Sequence, residues 1–254
     1  MRKSLLLLLN VVACCAVWAQ VEANPGRPTV ATPATLTPQG YLQFETGVLI
    51  AEHSDGFANR TGLNEVIKFA PTMRLEVLLQ AEPFVHTDAG PASSRDPGDI
   101  FAGVQAVVIP GHERRPTVSL SYFRRIYSGA ASDIDIGSNR QSALLLVSTD
   151  IRKFHFDINA FFTEQVENAT HRAQFGQTIS VARPVLGRLA FTAELWHFTQ
   201  PFQRSNTVGL LVAPTYTIKP NLVVDVGFSR GFTYTSTRWE AFFGFTYLLP
   251  KKLF

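Results

Sequence analysis

From residue 40 to the end of the chain, apolar and polar side chains alternate with a period of two almost everywhere. This constrains the fold more than any other feature, because a period of two puts successive side chains on opposite faces of an extended strand. PTYTIKPNLVVDVGFSRG, residues 214–231, is representative. Leu222, Val224, Val226 and Phe228 share one face; Val223, Asp225, Gly227 and Ser229 share the other, with a carboxylate at its centre. Read this way, the chain predicts strands at 40–50, 63–70, 72–84, 99–109, 116–126, 141–150, 153–165, 170–183, 188–199, 206–218, 221–230 and 237–249, about twelve in all. Strands of that length can cross an outer membrane when tilted. No amphipathic helix is predicted.

The connections point to the architecture. Every second one is short: APT, GHERR, IRK, PVLGR and KPN. Those between are long, as in EHSDGFANRTG, TDAGPASSRDPG and YSGAASDIDIGSNR, or intermediate, as in VENAT, QPFQRS and GFTYTST. A transmembrane β-barrel sorts its loops by parity, with tight periplasmic turns and longer outer loops. A soluble sandwich has no reason to. The prediction is therefore an all-β, antiparallel transmembrane barrel spanning 39–254. Its long loops 52–62, 88–98 and 128–140 are expected to be mobile and outside.

The last strand carries Trp239, Ala241, Phe243, Phe245 and Tyr247 on one face. At ~3.3 Å per residue and ~40° tilt, that face reaches roughly 20 Å along a membrane normal, so Trp239 and Tyr247 are predicted at the two interfaces. An aromatic sandwich core would also fit this face.

The first residues, MRKSLLLLLNVVACCAVWAQVEANP, place Arg2 and Lys3 before an apolar run and small residues at Ala19 and Ala23. This is the layout of a secretory signal peptide, predicted over 1–23; a lipoprotein signal ending at Cys14 is the alternative. Both cysteines, Cys14 and Cys15, lie in the leader, so the exported chain holds no disulfide and no cysteine chemistry. No later apolar run is long enough for a membrane helix. The formal net charge of +3 is too small to argue for nucleic acid. Residues 24–38, NPGRPTVATPATLTP, are Pro- and Thr-rich without a period and read as an extended lead-in.

Three stretches, TPQGYLQFETGV, VIKFAPTMRLEVLLQ and YTIKPNLVVDVGFSRGFTYTSTRWEAFFGFTYLL, together resemble an outer-membrane family catalogued as transporters of the phenol-degradation MetA pathway. The matching positions are Gly40, Glu45 and Gly47, then Arg74-Leu75-Glu76, then Asn221-Leu222, Asp225, Gly227 and Gly231. The resemblance implies a β-barrel and passage of small aromatic or apolar molecules. The chain departs from it after Tyr247, where LLPKKLF follows, so either the internal FGFTYL or Phe254 would serve the barrel-assembly machinery.

Strand parity predicts a lumen lined by Glu45, Arg74, Glu76, Asp157, Arg172, Glu194, Asp225 and Glu240. With acids in excess, this set reads either as a cation-selective constriction or as a paired network filling a closed barrel. The histidines suggest hydrolase chemistry, as in a barrel lipase, with His155 the inward candidate, but no Ser-centred motif or HExxH accompanies them. SDIDIGSN, residues 132–139, lacks the glycine placement and closing Glu of a calcium loop. No catalytic residue, metal site or cofactor is predicted. The chain is therefore expected to be a passive transporter of small solutes in the outer membrane of a Gram-negative-type bacterium, in contact with lipid and with no nucleic-acid partner. A closed structural or adhesion barrel is the alternative, and a membrane-embedded lipid hydrolase a further one.

Overall fold

A computed structural model describes residues 21–54, 56–90, 92–113, 115–131 and 139–254. The predicted signal peptide falls almost wholly outside them, as does most of the SDIDIGSN loop.

Among the described residues, thirteen strands form one antiparallel sheet: β1 (Leu42–Ser54), β2 (Phe57–Thr72), β3 (Leu75–Ala89), β4 (Ala92–Asp96), β5 (Ile100–Ile109), β6 (Thr117–Tyr127), β7 (Asn139–Ile151), β8 (Phe154–Glu167), β9 (Thr170–Leu186), β10 (Leu189–Phe198), β11 (Thr207–Lys219), β12 (Leu222–Gly231) and β13 (Trp239–Leu248). Each strand pairs with its sequence neighbour, except that β5 pairs with β3, while β1 pairs with both β2 and β13 and closes the ring. The ring holds twelve strands. The remaining one, β4, is a spur that pairs only with the far end of β3.

The faces are inverted relative to a water-soluble protein. Inward positions are buried and mostly polar, among them Gln43, Glu45, Lys68, Gln105, Asn159 and Gln174. Outward positions are apolar and exposed: Val48, Ile50, Leu120, Phe162, Phe175 and Phe243 are each at least 40 % accessible. In water so continuous an apolar surface would aggregate; in hydrocarbon it is the solvated face. Leu222, Val224, Val226 and Phe228 face outward and Asp225 inward, following the alternation.

The connections APT, GHERR, IRK, PVLGR and KPN lie at one end, with both described termini. At this turn end, the Ala23 amide bonds the Pro220 carbonyl, Leu253 N–H bonds Gly40, and the Phe254 ring stands 5.7 Å from Phe69. Two expectations about the opposite, loop end need correction. Segments 52–62 and 88–98 are largely strand: Glu52 pairs with Asn59, Asn59 with Asp88, and Asp88 with Ser93. Above an apolar slab the ladder can continue while both faces are polar, so the alternation that marks a strand vanishes although the strand does not. VENAT is not an intermediate loop but a two-residue turn. Asn168 and Ala169 both have positive φ, 47° and 63°, matching the twist of a tight hairpin.

Candidate functional site: a lumen threaded by the N-terminal segment

Residues 24–38 run inside the barrel. Four of them are proline, with no N–H to give a ladder, so the segment cannot join the wall as a strand. Seven of its remaining amides go instead to inward side chains. Asn24 N–H bonds Gln43 Oε1 at 2.8 Å and Gly26 N–H bonds Glu45 Oε1 at 2.9 Å. Val30 and Ala31 both donate to the Glu194 carboxylate, at 2.8 and 2.6 Å. Thr32 N–H bonds Asn159 Oδ1 at 2.6 Å, Ala34 N–H bonds Ser148 Oγ at 2.7 Å, and Thr37 N–H bonds Glu76 Oε1 at 2.8 Å. The carbonyls are met too, by Asn159 Nδ2 on Thr32 and Gln105 Nε2 on Pro33. The segment thus crosses the lumen from β1 past β10, β8 and β7 to β3, held by four bonds to carboxylates and three to neutral acceptors.

The partner of Asp225 is Arg27, whose Nε and Nη2 reach its two oxygens at 3.2 and 3.1 Å. Glu45 is paired with Lys68 Nζ at 2.5 Å. Asp157 accepts from Ser148 Oγ at 2.5 Å and lies 3.3 Å from His155 Nε2. Glu45, Glu76, Glu194 and Asp225 therefore clasp the chain's own N-terminal segment. The sequence reading missed Arg27, Lys68, Ser148 and Asn159 as members of this network. The available signal was the acid excess itself, since buried carboxylates demand partners.

Two expected lumen residues lie elsewhere. Arg74 is exposed in the two-residue turn between β2 and β3, below the last inward rung. Arg172 has inward parity but stands exposed at the loop end of β9, where it bonds the Pro201 carbonyl and covers the Phe202 ring at 4.8 Å. Glu240 is half-buried on the wall of the cavity described next. Trp239 and Tyr247 sit at opposite ends of the outward face of β13. Trp239 is stacked under Arg230 at 3.8 Å, and Tyr247 is in register with Leu222 near the turn end. His155 bonds Asp150 through Nδ1 at 2.8 Å, and the Ser148 hydroxyl is engaged by Asp157 and Ala34, so these two side chains do not form a nucleophile–base pair. Among the described residues no group of three or more His, Cys, Asp and Glu side chains is placed to hold a metal ion.

Above the segment is a cavity of about 450 Å³ whose floor includes Arg27, Pro28, Thr29 and Val30. It is two-sided. Trp196, Phe198, Leu211, Phe242 and Leu49 line one side, with Trp196 and Phe198 rings 6.3 Å apart. Arg60, Asn64, Glu82 and Asp99 stand on the other; Arg60 pairs with Glu82 at 2.7 Å and Arg125 with Asp99 at 2.9 Å. A bulge in the β2–β3 ladder, with Glu82 and Pro83 opposite Asn64, helps bring this polar group together. The cavity is the size of a small-molecule site, and its sides suit a solute with one aromatic and one polar end.

A closed twelve-stranded barrel with an apolar exterior and a polar, segment-filled lumen is an outer-membrane-type β-barrel. The family described as "Putative MetA-pathway of phenol degradation" matches residues 25–249, and the chain belongs to it. Among solved structures, the chain is similar to the COG4313 outer membrane channel from Pseudomonas putida F1, with a TM-score of 0.63 and 12% identity over 90% of this chain and 100% of that one. The KdgM porin (TM-score 0.55, 12% identity, 81% and 98% covered) and the NanC porin (0.53, 8%, 82% and 98%) share the fold at greater distance. No curated protein matches.

Proposed function

We propose that this chain is an outer-membrane channel, exported through a signal peptide over 1–23, that admits small amphipathic aromatic molecules from the cell exterior. The turn end is then periplasmic and the loop end outside. The observation that carries this is the two-sided vestibule of about 450 Å³ closed below by the N-terminal segment. A solute would rest there with its ring against Trp196 and Phe242 and its polar group toward Glu82 and Asp99, and would pass when the segment shifts. The channels sharing the fold agree with transport, and the family's description, which names phenol degradation, agrees with an aromatic solute. The test is uptake of a panel of small aromatics into proteoliposomes. Uptake should rise when residues 24–37 are deleted.

A closed structural barrel is the second reading, favoured by the seven segment amides bonded to the wall. Absence of uptake by both proteins would establish it.

A further inference from the structure

Two glycines facing each other across a strand pair make a bed for a planar group. Gly47 of β1 is in register with Gly244 of β13, and Gly244 in turn with Asp225 of β12, so the three share one rung. All three are buried on the inward face. The missing side chains leave bare backbone in the wall, and the Arg27 guanidinium lies against it. A Cβ at Gly47 would overlap Cζ and both Nη atoms of Arg27; one at Gly244 would come within 2.6 Å of Nε and Nη2. At the edge of the bed, Asp225 grips the guanidinium through both oxygens. A flat bed beside a bidentate carboxylate selects a planar fork over a tetrahedral ammonium.

These contacts are made by the terminal group of Arg27 and do not depend on its attachment to the chain. Arg27 also forms part of the vestibule floor, so a solute arriving from the loop end would pass Glu240 and Phe242 and reach this rung at the bottom of the vestibule. Phe242, two residues from Gly244 on the same inward face, is the nearest wall for an attached ring.

We propose that the Gly47–Gly244–Asp225 rung is a receptor for planar amidinium and guanidinium groups, that Arg27 is its tethered occupant, and that free aromatic amidines displace Arg27 and loosen the N-terminal segment.

The test is calorimetric titration of benzamidine into the full exported chain in detergent micelles. Arg27→Ala should bind one equivalent. The wild type should bind about tenfold more weakly or worse, because the tethered occupant must first leave. Arg27→Ala combined with Asp225→Asn should not bind. Benzylamine, with the same ring and charge but no planar fork, should bind Arg27→Ala more weakly than benzamidine. Lack of binding to Arg27→Ala, or binding indifferent to Asp225→Asn, overturns the proposal. Should Arg27→Ala not assemble, a Thr29→Cys chain carries the test. Its maleimide labelling should be faster in millimolar benzamidine than in equal sodium chloride, and equal rates overturn the proposal. Failure here leaves the transport reading standing, since that reading rests on the vestibule.

Discussion

Glu194→Gln is the sharpest test of how the segment is held. The Glu194 carboxylate, 1 % exposed, accepts the Val30 and Ala31 amides on its two oxygens at 2.8 and 2.6 Å. Glutamine keeps the shape but offers one carbonyl oxygen, and its NH2 then faces a backbone N–H. One of two charge-assisted bonds is lost and the other becomes neutral. Hydrogen bonds to charged groups contribute about 1.5–3 kcal/mol each, against about 1 kcal/mol for neutral ones, so the segment should be loosened by about 2–5 kcal/mol. At the lower bound, and at 1.4 kcal/mol per factor of ten, local opening should become about 30-fold more frequent. Hydrogen exchange of a peptide covering residues 24–37, followed by mass spectrometry in micelles, measures this directly. Protection there should fall by that factor while the β7–β8 ladder is unchanged. Unaltered protection at Val30 and Ala31 would refute the claim that Glu194 anchors the segment.

Val226→Arg puts a charge on the outward face at a 51 % exposed position and should cost about 2–4 kcal/mol in a bilayer, read as loss of the heat-modifiable folded band in outer-membrane fractions. A cysteine at exposed Ser94 on the spur should label from outside intact cells, and one at Pro220 in the β11–β12 turn should not; strong external labelling at Pro220 would invert the topology. Deleting residues 24–37 strips Glu45, Glu76, Glu194 and Asp225 of their segment partners, so the opened pore should prefer cations in a salt gradient across a planar bilayer. An anion preference there would show that Lys68 and Arg60 dominate the lumen field instead.

The barrel was legible in the sequence because each strand separates two environments, and that separation prints a period of two on every strand. Asp225 could be placed inward and Val226 outward from their neighbours alone, and the aromatic face of β13 likewise. The reading failed where that contrast stops. Beyond the apolar slab the β3–β4 spur is polar on both faces, and Arg74 and Arg172 lie past the rungs where parity still decides burial. The filling of the lumen was decided only in three dimensions. Val30 and Ala31 are 164 and 163 residues from Glu194, and Arg27 is 198 from Asp225. Backbone amides carry no residue identity, so their bonds to distant carboxylates leave no pattern in the chain. Only the closed ring, which brings β1, β10 and β12 around one interior, turns an unperiodic proline-rich lead-in into the partner that these buried acids require.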